Sequence, residues 1–178
     1  MTSETPRKTL LWVDDDGPGR FLYETMVIES SGEWQIQWAQ NPEQAARHLA
    51  TAAYRAVILD QFMPLTDDVS GRSPWAGYLL LCWIREQPIQ DSLEPALHLA
   101  ADRIRTSSSR PLASNKVVPV LILSAFHDKQ VASSTRQVNK PYQANTRILV
   151  KPIDIGDVIS WLDEIEGKNT KDSDVRDA

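Results

Sequence analysis

Four stretches of the chain follow one plan, an unbroken apolar run that ends on a polar or charged residue. Leu10-Leu11-Trp12-Val13 runs into Asp14, Asp15 and Asp16, and Ala56-Val57-Ile58-Leu59 runs into Asp60. Val120-Leu121-Ile122-Leu123 stops at Ser124, and Ile148-Leu149-Val150 stops at Lys151. A run with no polar member suits a strand buried on both faces of a parallel sheet, whereas a strand with one wet face alternates. Trp34-Gln35-Ile36-Gln37-Trp38 does alternate, so it predicts a half-exposed edge strand.

Between these strands the periodicity changes to that of helices. Arg20 to Ser30 places Leu22 and Met26, with Phe21 and Ile28, at helical spacing. Asn41-Pro42-Glu43-Gln44 is a helix start, with Asn41 as cap, Pro42 at the first helical position and Gln44 reaching back, and that helix should end near Thr51. An apolar helix is expected from about Trp75 to Glu86. Asp91 and Glu94 read as a capping box opening an extra helix to about residue 105, with Leu93, Leu97, Ala100 and Ile104 on one side. The fourth strand is expected over Val117 to Leu123, with Pro119 near its start, and residues 126–146 predict at most a short helix around Lys129 to Val138. Asp154 caps a last helix striped by Ile155, Val158, Ile159, Leu162 and Ile165. The order of elements predicts an α/β, flavodoxin-like (βα)5 fold. Its five-stranded parallel sheet has the order 2-1-3-4-5, with a helical insertion between strands 3 and 4. The domain is expected to span 9–167, with insertions at about 65–74 and 88–116, and 1–8 and 168–178 are expected to be flexible termini.

Composition narrows the possibilities further. A chain of 178 residues fits one domain with a substantial core. A net charge of −5 carries no basic surplus for binding a phosphate backbone, so direct nucleic-acid binding is not expected. One cysteine, Cys82, excludes an internal disulfide framework, and no apolar run is long enough to cross a bilayer. With no charged-then-apolar leader, a cytoplasmic protein off the membrane is expected. His48, His98 and His127 lack metal-ligand spacing, and the six tryptophans read as core and edge packing.

The ends of the four apolar runs would bring several carboxylates, one hydroxyl and one ammonium to a single sheet rim, where open α/β sheets bind ligands. Carboxylates crowded there repel one another, and a bound cation relieves the cost. With oxygen-only ligands the natural occupant is Mg²⁺. Such a site lets Asp60 attack a phosphoryl group, with Lys151 and Ser124 serving the phosphoryl oxygens.

Val13-Asp14-Asp15-Asp16, Leu59-Asp60-x-x-Met63-Pro64, Ser124-Ala125 and Lys151-Pro152, in that order, resemble the receiver domain of bacterial two-component response regulators. The resemblance implies that Asp60 is the phosphoacceptor, that Asp15 ligates Mg²⁺ directly and Asp14 through water, and that the backbone carbonyl of Phe62 completes the metal site. It makes Ser124 the switch hydroxyl and Lys151 the phosphate-pairing lysine, and it implies a cis Lys151–Pro152 bond. A histidine kinase or histidine phosphotransfer protein would then supply phosphate. Because the chain stops soon after its last helix, output is expected through a downstream protein partner or phosphate relay, with a homodimer possible and no turnover chemistry. The chain departs from the family pattern at Ile148, where the family usually has an aromatic residue, and in the length of its 65–116 and 126–146 stretches. Rings at Phe62 and Phe126 would crowd out an attacking water, so slow self-hydrolysis of the phosphorylated form is expected. Two rival readings stand beside this one. Asp14-x-Asp16 also resembles the opening of haloacid-dehalogenase-like phosphohydrolases, with Asp14 as nucleophile and Asp16 as acid. The other rival is a receiver-like binding module that works without phosphorylation.

Overall fold

The structure, a computed structural model, describes residues 7–66, 71–124 and 129–167, with the backbone alone for 143–145. The expected flexible termini lie mostly outside these residues, as do Ala125, Phe126 and His127. Strands β1 (Lys8–Val13), β2 (Trp34–Ala39) and β3 (Ala56–Asp60) precede a small antiparallel hairpin of β4 (Met63–Pro64) and β5 (Arg72–Ser73). Strands β6 (Val120–Ser124) and β7 (Thr146–Val150) complete a parallel sheet in the order β2-β1-β3-β6-β7. With the hairpin set aside, this is the predicted 2-1-3-4-5 order.

Alternation along the three central strands sorts their side chains into two cores. Leu11, Val13, Val57, Leu59, Val120 and Ile122 face one core, packed against helices α3 (Pro42–Thr51), α4 (Ala76–Ile84) and α5 (Pro95–Ser107), with Val138 of α6 (Lys129–Asn139) joining them. Leu10, Trp12, Ala56, Ile58, Leu121 and Leu123 face the other, closed by Phe21, by Ile28 of α2 (Leu22–Ser30) and by Val158, Trp161 and Leu162 of α7 (Ile155–Ile165). The edge strand β2 alternates as expected, with Gln35 and Gln37 exposed. Trp38 stacks on Trp12 with ring centroids 5.0 Å apart. β7 is the sheet's other edge, and its apolar run is only partly buried, Val150 being 51% exposed. Pairing on one side alone leaves it a wetter strand than its sequence predicts.

The helix caps follow their chemistry. Asn41 Oδ1 accepts from the Gln44 N–H at 3.0 Å while Gln44 Oε1 accepts from the Gln40 N–H, and Asp154 Oδ1 accepts from the Gly156 N–H at 2.7 Å. Several expectations change. The first helix is broken at Phe21 into α1 (Gly17–Arg20) and α2, which turns Leu22 and Met26 outward at 61% and 63% exposure while Phe21 and Ile28 stay inside. Asp91 and Glu94 form no capping box, because Pro95 takes the first helical position and Glu94, the cap residue, makes no side-chain cap bond. Strand β6 starts at Val120, since Ala113–Val117 form a 3₁₀ turn. That turn is fastened by Asn115, fully buried, whose amide donates to the carbonyls of Leu49 and Ala52 at 2.7 Å each and whose oxygen accepts from the Tyr54 N–H. The short helix expected around Lys129 to Val138 is present as α6, eleven residues long, whose buried face mixes Val131 and Val138 with Ser134, Thr135 and Asn139.

The insertion therefore packs as an extra layer. Leu97, Ala100, Ala101 and Ile104 of α5 join the core shared by α3 and α4, and Arg103 reaches buried Glu43 of α3 at 3.4 Å. All nine residues of α4 are buried as a result, consistent with its unbroken apolar sequence.

Candidate functional site

Parallel register sets the site. Val13 pairs with Leu59, and Asp60 with Leu123, so Asp14, Asp60 and Ser124 leave the sheet at adjacent carboxyl ends. Asp14, Asp15 and Asp60 each offer an oxygen within 4.8 Å of the others, forming the one such group of potential metal ligands among the described residues. Asp14 is fully buried and Asp60 is 4% exposed.

Lys151 is the cation that makes this burial tolerable. Its Nζ lies 2.8 Å from Asp60 Oδ2 and 3.3 Å from Asp14 Oδ2. The second oxygen of each carboxylate takes a backbone donor, Phe62 N–H to Asp60 Oδ1 at 3.1 Å and Asp16 N–H to Asp14 Oδ1 at 3.0 Å. Burial nonetheless pushes the Asp60 carboxyl above the usual aspartate range, against the pull of Lys151 and helped by the charge of Asp14. Lys151 N–H donates to the Ser124 carbonyl at 2.9 Å, Ser124 is buried, and the Lys151–Pro152 bond is cis as expected.

Asp15 and Asp16 face a different cation. Arg72, on the β4–β5 hairpin, places Nε 2.6 Å from Asp15 Oδ2 and a terminal nitrogen 2.7 Å from Asp16 Oδ1, and Arg20 also pairs with Asp16. Burial raises Asp15 although Arg72 opposes it, with the charges of Asp16 and Asp14 adding to the rise. Asp16 also feels burial, but hydrogen bonds from Arg20 and Arg72 prevail and hold it below its ordinary value.

Divalent-metal chemistry fits these residues. The side-chain donors are carboxylate oxygens, and Asp15 Oδ1 is buried with no hydrogen-bond partner among the described residues, a costly state for a carboxylate oxygen unless something else binds it.

The sequence points to Asp14, Asp15, Asp60, Ser124 and Lys151, and the structure brings all five to one rim. It does not single out Arg72, Gln61 or Gly77. Gln61 is buried beside Asp60, and its amide donates to Thr135 Oγ1 of α6 at 3.3 Å. Gly77 lets the first turn of α4 lie on the strand end, since a Cβ there would come within 2.8 Å of the Asp60 carbonyl oxygen and 2.9 Å of the Gln61 Cα. The sequence signal for Gly77 is its place as the one glycine in an otherwise bulky apolar helix. Both obstacles are backbone, so Gly77→Ala should cost about 1–3 kcal/mol, read as a lower urea midpoint. An unchanged midpoint would contradict the close approach.

No protein-family model matches the sequence, and no curated protein matches it. Solved structures do match the fold. The receiver domain of a Francisella response regulator superposes with a TM-score of 0.57 at 16% identity, over 91% of this chain and 98% of that one. The receiver domain of a signal transduction histidine kinase from Syntrophus aciditrophicus gives 0.57 at 18% identity, over 96% and 98%. That of a sensor histidine kinase from Pseudomonas aeruginosa, described with a magnesium ion coordinated in its active-site cleft, gives 0.56 at 17% identity, over 91% and 99%. The chain has the receiver fold.

Proposed function

We propose that the chain is a phosphoacceptor signalling module in which Asp60 takes a phosphoryl group from a histidine kinase or histidine phosphotransfer protein, and the change alters its binding to a downstream protein. The observation that carries this reading is the buried Asp60 carboxylate at a strand end, 2.8 Å from Lys151 and grouped with Asp14 and Asp15.

Asp14, Asp15, Asp60 and the Phe62 backbone carbonyl would hold Mg²⁺, which when bound screens the negative charge between an incoming phosphoryl group and the carboxylate. Asp60 supplies the electron pair for a new P–O bond. The P–N bond of the donor phosphohistidine breaks, and the released imidazole nitrogen keeps the bonding pair and takes up a proton. Lys151 turns from the carboxylate to the phosphoryl oxygens, whose charge it offsets, and Ser124 offers its hydroxyl to them. Burial that disfavours the free carboxylate also keeps water from the anhydride, in line with slow self-hydrolysis, for which Phe62 remains the candidate ring and Phe126 lies outside the described residues. The reaction consumes one phosphoryl group per Asp60 and is not turnover catalysis. A phosphohydrolase using Asp14 would need a protonated acid at Asp16, yet Arg20 and Arg72 favour its charged form.

Incubating the full chain with a small phosphodonor and Mg²⁺ should add the mass of one phosphoryl group, labile to hydroxylamine, and Asp60→Asn should abolish it. The same adduct on Asp60→Asn, or none on the wild type, would sink the proposal.

A further inference from the structure

Arg72 reaches the acidic cluster from outside the pattern that defines it. The hairpin that carries it starts three residues after Asp60. Met63 is fully buried, pairs with Ser73 and anchors the hairpin, and Ser73 Oγ accepts from the Trp75 N–H at 3.2 Å. The guanidinium is thereby held against two consecutive aspartates, with Nε on Asp15 Oδ2 and a terminal nitrogen on Asp16 Oδ1. Asp15 is left with one oxygen bonded to the fork and the other, Oδ1, buried and unpartnered among the described residues. Its carboxylate is thus held at one oxygen with the other unpartnered, and Asp15 belongs to one group with Asp14 and Asp60.

We infer that Arg72 is a positioning residue for a divalent cation at Asp14, Asp15 and Asp60, orienting the Asp15 carboxylate through the oxygen that does not meet the ion. This rests on the metal-assisted phosphoacceptor reading above. Carboxylates that ligate metals are themselves commonly held by hydrogen bonds, and losing such a partner typically lowers metal affinity roughly 10–100-fold. The opposing effect, repulsion between the guanidinium and the ion, is damped because the Arg72 side chain is 41% exposed to water and salt. A lysine would not substitute fully, since a point charge cannot hold Asp15 and Asp16 together in one plane.

The test is calorimetric titration of Mg²⁺ alone into the full chain, with thermal unfolding in chelator as a control for folding. Arg72→Ala should weaken Mg²⁺ about tenfold or more, and Arg72→Lys by less. Arg20→Ala, which removes the other partner of Asp16 without touching Asp15, should leave the affinity unchanged, and none of the three should move the metal-free midpoint much. Equal or tighter Mg²⁺ binding by both Arg72 variants would overturn the inference while leaving the phosphoacceptor reading intact, provided the wild type binds Mg²⁺. A wild type that gives no Mg²⁺ binding would overturn both.

Discussion

Lys151→Met is expected to remove about 3–5 kcal/mol of stability at neutral pH in the absence of divalent ions, the usual cost of leaving a buried charge without its partner. Lys151 is shared by Asp60 and Asp14, both all but sealed from water, and Arg72 is engaged with Asp15 and Asp16. The pH dependence has a definite sign. The Asp60 carboxyl already sits above its ordinary value because burial outweighs Lys151, so the folded protein binds a proton there more readily than the unfolded chain does. Its destabilising effect is complete above the folded pKa and fades as the pH falls through that value towards the ordinary one. Without Lys151 the folded pKa moves further up. The deficit of the variant should therefore be largest in mildly alkaline buffer, shrink on acidification, and shrink also on adding Asp60→Asn. Urea midpoints across pH decide the matter, and a deficit that ignores pH would mean that Lys151 acts through packing alone.

Arg85→Met should cost about 3 kcal/mol or more, at the opposite end of the sheet. Arg85 is 2% exposed and has no carboxylate partner among the described residues. Its guanidinium donates to the carbonyls of Lys116 and Val118, the latter at 2.9 Å, and to Thr146 Oγ1 at 3.5 Å, and it lies 4.6 Å from the centre of the Tyr142 ring. Burial lowers its pKa to about 10, so it remains cationic at neutral pH. One side chain thus ties the end of α4 to the approaches of both β6 and β7. Methionine fills part of the space but leaves the buried Val118 carbonyl and the half-buried Lys116 carbonyl without this donor, the first worth roughly 1–3 kcal/mol, and removes the cation from the ring. Arg85→Lys should recover only a fraction, since an ammonium cannot span the same acceptors. Because the clip is remote from Asp60, the folded fraction of Arg85→Met should still take up phosphate. Wild-type stability in the variant would refute the clip, and loss of labelling at full folding would show coupling to the site.

The parallel sheet was legible because a strand buried on both faces writes its environment into consecutive residues, and the polar residue ending each run marks the rim. Asp14, Asp60, Ser124 and Lys151 could be placed for that reason. The outward turn of Leu22 and Met26 was not legible, because the break at Phe21 resets the helical phase, which spacing alone does not reveal. Helix α6 could be located around Lys129 to Val138, but its packing could not be read, because its inner face uses Thr135 and Asn139, joined to Gln61 and to the Thr135 carbonyl, in place of an apolar stripe. Arg72 and Arg85 were invisible for a common cause. Each acts across a distance in sequence, on aspartates 56 and 57 residues earlier or carbonyls 31 and 33 residues later, so no local pattern records it.

The layer laid down by α5 carries a steric consequence. A helix enclosed on every side, as α4 is, offers no landing area to another macromolecule, although its first turn touches the backbone of the residue that would be modified. On the phosphoacceptor reading, a change at Asp60 would reach the outside by another route, and Gln61 already links the neighbouring backbone to α6, a helix that keeps a wet side.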